Sequence, residues 1–142
     1  MVYENRVVTP IEEKSKKTSG NLFDLKDVDM SILETIAYDY PKRKIKVEMT
    51  TNEFTCVCPF SGLPDFALIT IEYVPRTKLV EMKSLKYYLY SFRNVKGYNE
   101  HVVNKIIEDL TKVLKPYEIN VVAEFTVRGG IKNKVSAQYK AK

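Results

Sequence analysis

The hydrophobic period of this 142-residue chain changes twice along its length, and those changes restrict the folds open to it. Lys44-Ile45-Lys46-Val47-Glu48-Met49-Thr50 alternates polar and apolar, the period of two that marks a half-buried strand. Ala67 to Val74 is β-branched and aromatic and stops at Pro75, so it reads as a second strand. The period then lengthens: Met82, Leu85, Leu89 and Phe92 recur at helical spacing within Val80 to Asn94. Gly97 breaks the chain, and Asn99 stands where an N-cap is expected, with Glu100 in the first turn. From Val102 to Leu114 a broad apolar face follows, closed by Lys115-Pro116. Alternation returns from Ile119 to Val127, and after the turn Arg128-Gly129-Gly130 a fourth strand is expected over Ile131 to Tyr139. The order ββααββ predicts an α+β domain with both helices on one face of an antiparallel sheet. Such a sheet has open edges, so pairing between copies of the chain is expected.

This length accommodates one core. Residues 1–30 are polar and charged and read as a lead-in, flexible by composition around Lys14 to Gly20, with Leu22, Phe23 and Leu25 packing as a short turn. Residues 31–142 form the single domain. The hydrophobic share of 44% and charged share of 29% are those of an ordinary globular protein. No apolar run reaches membrane-spanning length, and Met1 to Gly20 lacks a signal-peptide core, so a cytoplasmic protein without a membrane partner is expected. The net charge of +5 resides in residues 128–142, which hold Arg128, Lys132, Lys134, Lys140 and Lys142 and no acid. That stretch reads as a solvated, frayed basic tail or as a local attractor of phosphate. It is too confined for a nucleic-acid footprint, so direct nucleic-acid binding is not expected.

Both cysteines lie in Thr55-Cys56-Val57-Cys58-Pro59-Phe60-Ser61-Gly62-Leu63-Pro64-Asp65-Phe66. Two prolines and a glycine make this a shaped loop between the first two strands, longer than a usual hairpin turn. One residue separates Cys56 from Cys58, too few for an unstrained disulfide. A metal is not expected either: Cys56, Cys58 and His101 could supply three ligands, but Cys-x-Cys is a poor spacing. A thiol and a carboxyl held on one loop suggest a nucleophile and a proton donor. A small buried cysteine beneath a tight turn explains the same residues, and the loop by itself leaves both open.

Taken with the segments that follow it, the loop Cys58 to Phe66 resembles the NADPH-dependent 7-cyano-7-deazaguanine reductases. The matching segments are Val80-Glu81-Met82-Lys83-Ser84-Leu85-Lys86-Tyr87-Tyr88, Ser91-Phe92-Arg93-Asn94 and Arg128-Gly129-Gly130, and the likeness runs from about Lys44 to Ile131. The resemblance implies the tunnelling fold (T-fold), whose ββααββ units close into oligomeric barrels that stack as rings, a decamer being one outcome, with sites at subunit interfaces. It also implies a reaction of queuosine biosynthesis, in which a nitrile becomes an aminomethyl group at the expense of two NADPH. By position, Cys58 would add to the nitrile and Asp65 would donate the proton. Val80, Glu81, Met82, Asn99 and Glu100 would hold the deazaguanine. A thiolate adds readily to a nitrile, the nitrogen then needs a proton, and a carboxylate accepts two adjacent N–H groups of a guanine-like base.

Lys83 and Lys86 lie three residues apart and share a helix face, which with Arg128 would suit the NADPH phosphates. A solvated helix face accounts for the lysines equally well, and a helix-dipole acid accounts for Glu100. Relatives usually carry His-Glu where this chain has Asn99-Glu100. The lone His101, two residues on, should face away from Asn99. The alternative activity on this fold is amidinotransfer to the nitrile base within tRNA. It would keep the cysteine and the acid without NADPH.

Overall fold

Long strands occur where the alternation predicts them, and short ones occur where no period could mark them. The structure, a computed structural model, describes residues 21–142; the part of the lead-in before them, including Lys14 to Gly20, lies outside the described residues. The strands are β1 (Phe23–Asp24), β2 (Thr35–Ala37), β3 (Val47–Val57), β4 (Pro64–Val74), β5 (Lys78–Val80), β6 (Val95–Lys96), β7 (Glu118–Phe125) and β8 (Lys134–Lys140). The helices are α1 (Met82–Tyr90) and α2 (Asn99–Leu114), and a 3-10 turn, Ser91–Asn94, extends α1.

One sheet runs in the order β1-β6-β3-β4-β7-β8, while β2 and β5 form a separate ribbon. The four long strands pair antiparallel as expected. The two-residue strands β6 and β1 add parallel pairs beyond β3. On the inner face Phe54, Ile69, Ile71, Tyr73, Ile119, Val121, Ala123 and Phe125 are buried, and they share one core with Leu85, Leu89, Val102, Val103, Ile106 and Leu110 of the helices. Both helices therefore lie on one face, and the α+β class holds. Each fully buried branched side chain contributes about 1.5–3 kcal/mol. No helix among the described residues is long and apolar enough to cross a membrane.

Tertiary contacts move several boundaries. Val80 closes β5 opposite Thr35 instead of opening a helix, because its N–H donates to the buried Tyr73 hydroxyl at 3.1 Å. The N-cap of α2 is Tyr98, in extended conformation, and Asn99 is the first helical residue. Gly97 explains the offset. Its N–H donates to the Val57 carbonyl at 3.1 Å, and a Cβ there would stand 2.9 Å from Val102 Cγ2. The basic segment is not a frayed tail: β8 pairs with β7 along its length, Lys140 meets Glu118 at 3.4 Å and Lys132 meets Glu124 at 3.7 Å. Segment 21–30 holds β1 and a 3-10 turn at Leu25–Asp27, with Leu25 packed on the core.

Candidate active site

The turn carrying Cys58 is shorter than its sequence suggests. β3 ends at Val57 and β4 begins at Pro64, a first strand position where the missing N–H costs nothing. Within the turn the Cys58 N–H donates to the Leu63 carbonyl at 2.8 Å and the Gly62 N–H donates to the Cys58 carbonyl at 3.0 Å. Gly62 has φ 71°, a conformation open mainly to glycine. Asp65 is thus a strand residue, and its register partner is Cys56. It shares the inner face with Ala67 and Ile69 and is 8% exposed. Thr55, whose Oγ1 donates to the Asp65 carbonyl at 2.8 Å, pins this strand end from β3.

Two forces act on the Asp65 carboxyl. Burial raises its pKa above the usual carboxylate range, and the Arg128 guanidinium, ion-paired with it, pulls the other way. The net direction is upward, which favours an acid that keeps its proton. Cys56, fully buried beside it, has its thiol pushed up to about 12, first by burial and then by Asp65. Cys58 is only half-buried.

Arg128 also donates from Nη2 to the Pro64 carbonyl at 2.8 Å. It lines a cleft with Asp65, Asn99, Thr126 and Asn133. Asn133 donates from Nδ2 to Glu100 Oε1 at 3.4 Å, a long contact to an exposed carboxylate at the start of α2. His101 lies elsewhere, in a cleft with Pro59, Lys96 and Tyr98, its ring edge-on to Tyr98 at 5.6 Å. It does face away from Asn99.

The remaining predicted residues gather around α1. Val80 is buried in β5, Met82 is 72% exposed, and the Glu81 carboxylate caps the helix by accepting from the Lys83 and Ser84 N–H groups at 2.9 and 2.7 Å. Those bonds hold its pKa below the usual range. Met82 and Lys86 line an apolar groove with Met49, Phe54 and Leu89. Within one chain, then, Asp65, Asn99 and Arg128 meet in one cleft, whereas Lys86 faces a different one. Thr55 and Ser84 stand in the motifs without an assigned role, and Asn133 was not singled out. Ser84, which accepts from the Glu34 N–H at 2.9 Å, lies fifty positions from its partner, and no local pattern could reveal that contact.

Against known families, residues 64–142 match the model described as QueF-like protein. The chain is 47% identical over 129 residues to the NADPH-dependent 7-cyano-7-deazaguanine reductase of Caldicellulosiruptor bescii, covering 91% of this chain and 98% of that one. It is 52% identical over 107 residues to the protein of the same name from Thermomicrobium roseum, covering 75% and 84%. Among solved structures, the archaeosine synthase QueF-Like in its apo form superposes with a TM-score of 0.61 at 19% identity, over 70% of this chain and 95% of that one. The last comparison speaks to the fold alone.

Proposed function

The chain belongs to the QueF-like family of NADPH-dependent 7-cyano-7-deazaguanine reductases, and on that footing we propose that it reduces the nitrile of 7-cyano-7-deazaguanine to the aminomethyl group of 7-aminomethyl-7-deazaguanine. The observation that supports this most is the pairing of a half-buried thiol on the β3–β4 turn with a buried carboxyl just beyond it, whose pKa is raised.

The Cys58 thiolate adds to the nitrile carbon. A C–S bond forms, one C–N π bond breaks, and the nitrogen takes the proton from the Asp65 carboxyl, leaving a thioimide on Cys58. Glu100, exposed at the start of α2, accepts the paired N–H groups of the base, and Asn99 offers a hydrogen bond in the Asp65 cleft. The backbone of Val80 to Met82 and the Glu81 carboxylate complete the base site. NADPH, when bound, supplies the hydrides that carry the carbon from nitrile to amine. Lys83 and Lys86 suit its phosphates: both are exposed, and neither is in a salt bridge among the described residues. Arg128 joins them at the 2′-phosphate.

Lys86 and Asp65 lie in different clefts of one chain, so we propose that the site is completed by a second copy, in a ring closed through the β3 and β8 edges. A cytoplasmic setting, which keeps thiols reduced, suits the free Cys58.

Intact mass after mixing with 7-cyano-7-deazaguanine tests the chemistry. A covalent adduct is expected that is lost in Cys58→Ala and is discharged by NADPH but not NADH. Discharge by ammonia alone, with NADPH inert, would point to amidinotransfer instead. The absence of any adduct would refute the covalent reading.

A further inference from the structure

The base edge assigned to Glu100 has a third group that a carboxylate cannot serve. A deazaguanine presents an exocyclic amine, a ring N–H and a carbonyl oxygen side by side, which is donor, donor, acceptor. Glu100 takes the two donors, but an ionised carboxylate has no proton to offer the carbonyl. A carbonyl oxygen bound without a partner loses the hydrogen bonds that water gave it. A donor is therefore needed beside one oxygen of Glu100.

Asn133 stands in that place. Its Nδ2 lies 3.4 Å from Glu100 Oε1, and since a carboxylate only accepts, the amide must turn its NH2 toward it and not its oxygen. That nitrogen carries two hydrogens. One points to Glu100 at a distance long for a strong bond, and among the described residues the other has no acceptor. Asn133 is half-buried and lines one cleft with Asn99 and with Asp65, the proton donor of the proposed reaction. We propose that Asn133 donates to the carbonyl oxygen of the deazaguanine, so that Glu100 and Asn133 together read donor, donor, acceptor along one edge of the base. The inference rests on the reductase reading and adds to it a specificity-determining residue. A base with an amino group in place of that carbonyl would set N–H against N–H and be refused.

Backbone bonds hold Asn133 in position. The Phe125 N–H donates to the Asn133 carbonyl at 2.9 Å, and the Arg128–Ile131 turn just before it is closed by bonds of 3.0 and 2.9 Å. β8 begins at the next residue. Neighbouring donors are engaged elsewhere: Arg128 holds Asp65 and the Pro64 carbonyl, and the Asn104 amide donates to the Glu100 backbone carbonyl at 2.8 Å. Asn99 and Thr126 also line the cleft, but among the described residues it is Asn133 that bonds the Glu100 carboxylate.

The test is calorimetry on Cys58→Ala, in which no adduct traps the ligand, with 7-cyano-7-deazaguanine and its 6-thio analogue. The analogue keeps both donors and exchanges the carbonyl oxygen for sulfur, a weak acceptor. Adding Asn133→Ala should weaken the oxo ligand roughly tenfold and the thio ligand by less than about twofold. Asn133→Leu, close to asparagine in size, should give the same pattern, which separates a lost donor from a lost volume. Equal weakening of both ligands is the result expected if Asn133 only props Glu100, and it overturns the proposal, as does no weakening of either. If 7-cyano-7-deazaguanine does not bind, the reductase reading falls, and guanine with 6-thioguanine, which share the edge without the nitrile, decides Asn133. A loss of about tenfold for guanine alone sustains the proposal, and any other result with that pair, absence of binding included, overturns it.

Discussion

A carboxyl that must give up a proton needs surroundings that make ionisation unfavourable, and at Asp65 burial outweighs the arginine beside it. Because its folded pKa lies above the unfolded one, the folded chain binds more protons in the window between the two. Stability is then fully present below the unfolded pKa and is lost as pH rises through the raised folded pKa. Asp65→Asn, which cannot ionise, should match wild type in Tm near pH 3 and exceed it at neutral pH, as thermal melts across that range would show. The same variant should lose roughly 10²–10⁴-fold in kcat if the acid supplies the proton. Cys56 carries the complementary prediction. Its thiol stays protonated and enclosed, so brief N-ethylmaleimide treatment should label the described thiols only at Cys58, and denaturant should expose Cys56. Equal labelling of both thiols in the native protein would contradict the burial of Cys56.

Elements are set against one another by a few buried polar contacts. Tyr88 on α1 donates to Asp109 Oδ2 on α2 at 2.7 Å, and Lys105 meets Oδ1 at 3.0 Å. Asp109 is 1% exposed, so Tyr88→Phe strips a buried carboxylate of one partner and should cost about 1–3 kcal/mol in a denaturant titration. Gly97 brings the start of α2 against the end of β3, where Cys58 begins its turn. Gly97→Ala would press on the buried Val102 and on Leu25, costing about 1–3 kcal/mol and raising KM for the deazaguanine by displacing Asn99 and Glu100. An unchanged KM would separate the helix start from the base site.

For the whole molecule the open question is closure. Among the described residues β8 has a partner on one side only, and along most of β3 the edge away from β4 is likewise unpaired, β6 meeting it at Val57 alone. Exposed edges of this length favour pairing with another copy. Light scattering on the eluting protein should therefore give a multiple of 16.5 kDa, and a monomer at micromolar concentration would refute the ring.

The alternation in Val47 to Thr50, Ala67 to Val74 and Ile119 to Phe125, and the apolar face of α2, were enough to determine the ββααββ order, because each period reports which side of an element is dry. The motifs around Cys58, Glu81 and Arg128 carried the resemblance, and the family model matches residues 64–142, which hold the second and third of them. Only tertiary structure decided that Asp65 belongs to a strand beside Cys56, that Val80 closes a ribbon under the Tyr73 hydroxyl, and that Arg128 rests on the acid. The Asp65–Arg128 contact spans sixty-three positions, as 128 less 65, and it depends on how β4 and the β7–β8 turn end side by side. A local pattern carries no record of such a meeting. The physical reason is that side-chain period encodes burial on one element, whereas charge pairing and pKa are set by whatever the fold brings within a few ångströms.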